Sequence, residues 1–148
     1  MPAHPFAIRL CTWDEARLEA RRIRELVFVR EQGVPLELEW DDQDPHCDHA
    51  LAYAKDGRAV GSGRLLPDGH IGRMAVLKQW RRKGVGGLLL QALVEYARQR
   101  HHARVRLNAQ AYAAGFYRHN GFEVSGPEFM EASIPHVPMH RDLATGPG

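Results

Sequence analysis

The sequence predicts an α/β (α+β) chain with a central mixed, mostly antiparallel, sheet of about six to seven strands flanked by about four helices. Three observations carry this expectation. Two hairpin signals, Asp56-Gly57 and Pro67-Asp68-Gly69, join three apolar runs between Ala50 and Val76, so three antiparallel strands follow one another. A helical stripe at Val85, Leu89, Ala92 and Tyr96, widened by Leu88, Leu93 and Ala97, comes next. The alternating run Val105-Arg106-Leu107-Asn108-Ala109 then returns the chain to a sheet.

Element by element, Phe6 to Cys11 alternates as a first strand. Thr12-x-x-Glu15 is a capping box opening a helix whose apolar stripe is Ala16, Ala20, Ile23 and Val27. That helix should stop near Gly33-Val34-Pro35, because proline excludes its predecessor from helical angles. The three strands are expected at 50–55, 58–66 and 70–76, the helix from 85, a strand at 104–109 and a short helix at about 111–119. Phe122-Glu123-Val124 and a closing strand over 134–143 complete the order, and Pro135 and Pro138 mark the last strand as an edge for part of its length.

At 148 residues the chain fits one domain, expected over 1–143, with 144–148 as a flexible C-terminal tail. An apolar fraction of 44% with 26% charged residues belongs to a soluble globular protein, and no run is long enough for a membrane helix. With no signal peptide and only Cys11 and Cys47, a cytoplasmic protein with two inert thiols is expected. A net charge of +2 argues against a nucleic-acid partner. The charges are segregated, however. Residues 31–48 hold seven acids and no Lys or Arg, whereas residues 71–106 hold nine Lys or Arg and only Glu95. A polyanion on the basic part and a cationic partner on the acidic part would use both fields. His46-Cys47-Asp48-His49 has ligand-type side chains but no second cluster and no zinc spacing, so no metal is expected.

The chemistry centres on Arg81-Arg82-Lys83-Gly84-Val85-Gly86-Gly87. Glycines at a loop-to-helix junction let a ligand approach the main chain, and the free N–H groups and dipole of the helix start attract anions. A nucleotide-triphosphate loop would need Lys-Ser or Lys-Thr, and a dinucleotide loop would need glycine where Leu89 stands. Arg81-x-x-Gly84-x-Gly86 instead resembles the R/Q-x-x-G-x-G/A signature of the GCN5-related N-acetyltransferase (GNAT) family. At the right distance, Ala113-Ala114-Gly115-Phe116-Tyr117-Arg118-His119-Asn120-Gly121-Phe122 resembles that family's A-x-x-F-Y-x-x-x-G-F segment. The stretch from Val27 to Asp41 is similar to the V-F-V-x-E-Q-x-V-P-x-x-x-E-x-D segment of the ElaA-like branch.

The resemblance implies a GNAT fold and acetyl-CoA as co-substrate, with no metal. It implies that the backbone of Arg81, Arg82, Lys83, Gly84, Val85, Gly86 and Gly87 holds the pyrophosphate, and that Met74-Ala75-Val76 pairs with the pantetheine arm. Phe116 and Tyr117 belong to the same cofactor surface, and Gln110 stands where many members carry asparagine. Tyr117 occupies the position that serves as general acid toward the leaving thiolate.

Acetyl transfer also requires a neutral amine, and holding an amine of pKa about 10.4 neutral at pH 7 costs about 4.6 kcal/mol unless the site assists. Glu39 ranks first as base, followed by Glu37, which shares its face if the segment is locally extended, with Glu31 a further candidate. His136, in a Glu131-x-x-Ile134-Pro135-His136 element similar to one of the same branch, is a rival. Glu31, Glu37, Glu39 and His136 are thus the expected acceptor contacts. The expected activity is direct acetyl transfer from acetyl-CoA to a primary amine of a small molecule, a polyamine included, or of a peptide. The alternative is a non-catalytic acyl-CoA sensor or regulatory module. Exposed sheet edges are compatible with a homodimer.

Overall fold

The computed structural model describes residues 6–143. The tail expected at 144–148 lies outside the described residues. Strand β1 (Ala7–Cys11) leads into α1 (Trp13–Arg24), whose start is the expected capping box: the Thr12 hydroxyl accepts from the Glu15 N–H while the Glu15 carboxylate accepts from the Thr12 N–H. Ala16, Ala20, Ile23 and Val27 are all buried, as the stripe requires. The helix does not run on as regular α-helix. Glu25–Glu31 widens into a π-helical turn that ends at Gly33, whose φ of 74° is left-handed.

Residues Leu36–Glu39 form a single helical turn, α2, so the condition that would put Glu37 and Glu39 on one face, local extension, is not met. The hairpin strands β2 (Asp48–Tyr53), β3 (Ala59–Leu65) and β4 (Ile71–Val76) follow, with Gly57 and Gly69 at positive φ in the turns. Helix α3 (Val85–Gln99) buries Val85, Leu89, Leu93 and Ala97 as expected; Leu90 and Val94 complete the buried face, in place of Ala92 and Tyr96. The second half contains β5 (Arg104–Gln110), the short helix α4 (Ala114–His119), β6 (Glu123–Val124), β7 (Phe129–Glu131) and β8 (Ile134–Asp142).

The sheet is split. One half has the order β1-β2-β3-β4, and the other has β5-β8-β6 with β7 also on β8. The halves meet at a single parallel bridge, His70 to Arg106, where the Arg106 N–H donates to the Gly69 carbonyl at 3.0 Å. The cause lies in β4. Ser62 pairs with Ala75 and Arg64 with Gly72, so Arg73 and Met74 together oppose Gly63. Arg73 takes a φ of 51° at this bulge, which bends β4 away from β5 beyond the bridge. Glycine at 63 makes room: a Cβ there would lie 2.5 Å from the Met74 sulfur and 3.0 Å from Leu93 Cδ1.

Strand β8 is central, not an edge. It pairs with β5 from Arg104 to Gln110 on one side and with β6 and β7 on the other. Its prolines are tolerated because Pro138, whose carbonyl accepts from Ser125, turns its missing N–H to the gap where β6 ends and β7 has not begun.

Candidate active site

The divergence of β4 and β5 leaves a cleft of about 590 Å³. Its two walls are strand edges with unpaired backbone. Leu77 donates to Val60 on β3, and Val76 accepts from Arg81 Nε at 2.9 Å on the opposite side. Alternation along the strand therefore turns the N–H and C=O of Met74 and the N–H of Val76 toward the cleft. On β5, Arg106 faces β4, so Asn108 and Gln110 present their backbone groups to the same space.

The glycine loop lies at the open end of β4. Gly84 takes a φ of 88° and Arg82 a φ of 64°, and the backbone N–H groups of Arg82 through Gly87 find no acceptor among the described residues. Lys83 is exposed beside them, and Gly86 sits against the Phe116 ring, with 3.4 Å from its Cβ position to Cζ. Arg81 is engaged elsewhere: it forms a bidentate pair with Glu31, at 2.6 and 2.8 Å, and ties the π-helical turn to the end of β4. Gln110 is held by Gln32, the two amides exchanging hydrogen bonds of 2.8 and 3.3 Å across the cleft.

Tyr117 lines the cleft from α4, edge-on to Phe116 and Phe122 at 5.0 and 6.0 Å. Burial, with a lesser contribution from Tyr112, pushes its phenol up to about 12, so the proton stays on oxygen throughout the neutral range. The phenol thus faces the cleft with its proton in place.

The carboxylates named for the base are not in the cleft. Glu37 and Glu39 lie on opposite sides of the α2 turn rather than on one extended face: Glu37 is exposed, and Glu39 is 0% exposed against the Arg24 guanidinium. Arg24 also holds both oxygens of Asp44, at 2.9 and 3.0 Å. Asp44 in turn accepts from Arg64, which grips Asp41 bidentately at 2.9 Å, and Asp41 reaches Arg73 at the bulge. Four of the seven acids at 31–48 are thus paired with arginines: Glu39, Asp41 and Asp44 face Arg24, Arg64 and Arg73, and Glu31 faces Arg81. The field read from charge counts is therefore weaker than the seven acids suggest, since four of them meet arginines. The counter-charges escaped notice because they come from distant elements, α1, β3 and β4.

His136, by contrast, does line the cleft and is 6% exposed. So does Glu131, which sequence reasoning placed only as part of a motif. They belong to the β7–β8 hairpin, a two-residue turn with both central residues left-handed, Ala132 at φ 50° and Ser133 at φ 63°. Neither residue favours that conformation, which costs roughly 1–2 kcal/mol each. Ser133→Gly is expected to stabilise the protein by about 1 kcal/mol, read from its denaturation midpoint.

The thiols are remote from this chemistry. Cys11 and Cys47 are buried, and burial pushes Cys47 up to about 11, so neither offers a thiolate at neutral pH. Among the described residues no cluster of three or more His, Cys, Asp or Glu side chains could hold a metal, and no helix is long and apolar enough to cross a membrane.

The family profile for the acetyltransferase (GNAT) domain matches residues 40–143. The chain belongs to the GNAT family. The uncharacterized N-acetyltransferase YjcF of Bacillus subtilis is 40% identical over 134 residues, covering 87% of this chain and 94% of that protein. Among solved GNAT-fold structures, Escherichia coli ElaA is 28% identical with a TM-score of 0.80, covering 92% of this chain and 99% of its own. An acyl-CoA N-acyltransferase from Pseudomonas aeruginosa is also 28% identical, with a TM-score of 0.81 over the same shares. The GNAT fold is the expected one, with eight strands in two sheets among the described residues where about six to seven in one sheet were expected, and the protein is an acyltransferase whose fold implies use of acyl-CoA.

Proposed function

We propose that this GNAT protein transfers the acetyl group of acetyl-CoA directly to a primary amine bound in the β4–β5 cleft. The observation that carries the reading is the continuity of one open surface. Unbonded amides from Arg82 to Gly87 lead to unpaired backbone at Met74 and Val76, and Tyr117 lines the same cleft. The donor set suits a pyrophosphate, since main-chain N–H groups at a helix start bind anions without needing particular side chains. Acetyl-CoA supplies a thioester. The N–H of Met74 or Val76 is placed to stabilise the oxyanion formed when an amine adds to it, and Tyr117 donates its proton to the departing thiolate. Direct attack is favoured because neither thiol is in the cleft or ionised.

Acetyl-CoA at about one hundred times its dissociation constant should add about 2.7 kcal/mol of stability, which for a chain of this size raises the melting midpoint by roughly 5 to 10 °C. The shift should be absent with ATP or NAD and lost in Gly86→Glu, which sets a carboxylate among the free amides. A parent protein showing no shift at saturating acetyl-CoA would remove the reading.

A further inference from the structure

We infer that Glu131 and His136 form the acceptor subsite, and that it takes a monocationic primary amine on an apolar body rather than a polyamine. The inference rests on the acetyltransferase reading and supplies the base that the α2 carboxylates do not. Register puts the two side chains together: Phe129 lies opposite His136 and Glu131 opposite Ile134, so all four share one face of the hairpin. Phe129 and His136 stack, with centroids 5.9 Å apart, and the diagonal brings Glu131 Oε2 to 3.7 Å from His136 Nε2.

The histidine's proton is placed by its other contact. Nδ1 lies 2.7 Å from the Ile134 carbonyl, which can only accept, so in the neutral ring Nδ1 carries the hydrogen and Nε2 carries the lone pair. That lone pair points toward Glu131. Among the described residues Glu131 is the one carboxylate lining the cleft, and 57% of its side chain is exposed, whereas every arginine lining the cleft is already paired with an acid outside it. His70, the other histidine there, is bound to Asp68. A single ammonium is therefore matched. A second one has no carboxylate to meet and would face Arg64 and Arg73, while Val27, Phe28, Leu38 and Ile71 offer apolar surface.

The ammonium, held by Glu131, passes one proton to His136 Nε2, and the resulting imidazolium is stabilised by the Glu131 carboxylate. The amine lone pair forms the N–C bond, the C–S bond breaks, and the thiolate takes the Tyr117 proton. The Tyr117 phenolate recovers the second nitrogen proton, and His136 releases the first to solvent.

Phenethylamine and spermidine, each with acetyl-CoA, distinguish the outcomes. Phenethylamine should be the better substrate by at least about tenfold in kcat/KM. Glu131→Gln should raise its KM by about tenfold or more, in keeping with loss of a charge-assisted hydrogen bond. His136→Asn keeps a donor for the Ile134 carbonyl but has no Nε2; it should lower kcat by about a hundredfold. Both variants should retain the acetyl-CoA melting shift, which shows that they fold and bind cofactor. Calorimetric binding of phenethylamine to the CoA complex reads the same subsite without turnover. Spermidine turned over as well as phenethylamine, an unchanged KM in Glu131→Gln, or no phenethylamine binding would overturn the inference while leaving the acetyl-CoA shift intact. Loss of that shift in the parent protein would instead remove the acetyltransferase reading.

Discussion

Replacing Tyr117 by phenylalanine is expected to lower kcat by about 10²- to 10⁴-fold, with the KM for acetyl-CoA little changed. The ring remains to pack against Phe116 and Phe122, so the substitution removes the proton and keeps the shape. The effect should be on the chemical step because a thiolate leaves more readily when its charge is met by a proton. Burial supports the role by holding the phenol protonated up to about 12, so the parent rate should not fall on the alkaline side through loss of this proton within the neutral range. Steady-state rates over a pH series for parent and variant check this. Full turnover in Tyr117→Phe would assign the acid elsewhere.

Arg24→Met is expected to destabilise the fold by about 3–5 kcal/mol, a large part of the 5–15 kcal/mol typical of a domain. The guanidinium is 1% exposed and holds two carboxylates, Glu39 and Asp44, that are 0% and 3% exposed. Removing it leaves Glu39 buried without its ion-pair partner and Asp44 with Arg64 alone. The double variant Arg24→Met, Glu39→Leu should recover part of the loss. Acid should act on the same network. Burial raises Asp44 and Asp41, but hydrogen bonds from Arg24, Arg64 and Arg73 outweigh it and hold both carboxyls below their ordinary range. Their lowered folded values mean that the stabilisation is complete above the unfolded value of about 3.9 and is lost as pH falls through the folded ones. Glu39 runs the other way, raised by burial, and softens that loss. Denaturant midpoints at pH 7 and pH 3 should therefore differ more in the parent than in Arg24→Met.

Much of the fold was legible because its signals are local. The Thr12–Glu15 capping box, the Asp56-Gly57 turn and the buried spacing of α1 each depend on residues a few positions apart. The glycine loop could be read for the same reason. What could not be read is set by distance. The split between β4 and β5 depends on Met74 needing the space above Gly63, and the position of β8 depends on which strands return to flank it. Glu39 looked available because its partner, Arg24, lies in another element, and the stretch that carries it coils into a helical turn instead of extending. Glu131 gave no signal of its own. Only the hairpin register shows that it shares a face with His136.

The split sheet also bears on solubility. Strand edges with unpaired N–H and C=O groups are templates for pairing with other chains, and β4 and β5 both carry such an edge beyond the His70–Arg106 bridge. Here the edges face inward, toward each other, with Leu38 of α2 and Ile134 of the β7–β8 hairpin lining the space between them. The outer edges among the described residues are β1, which is short and carries Arg9, in one half, and β6 and β7, of two and three residues, in the other. An added strand from another molecule would have to enter the cleft end-on, whereas a slender extended ligand can lie along it, so the backbone that the cleft offers is open to a ligand and closed to a neighbouring sheet.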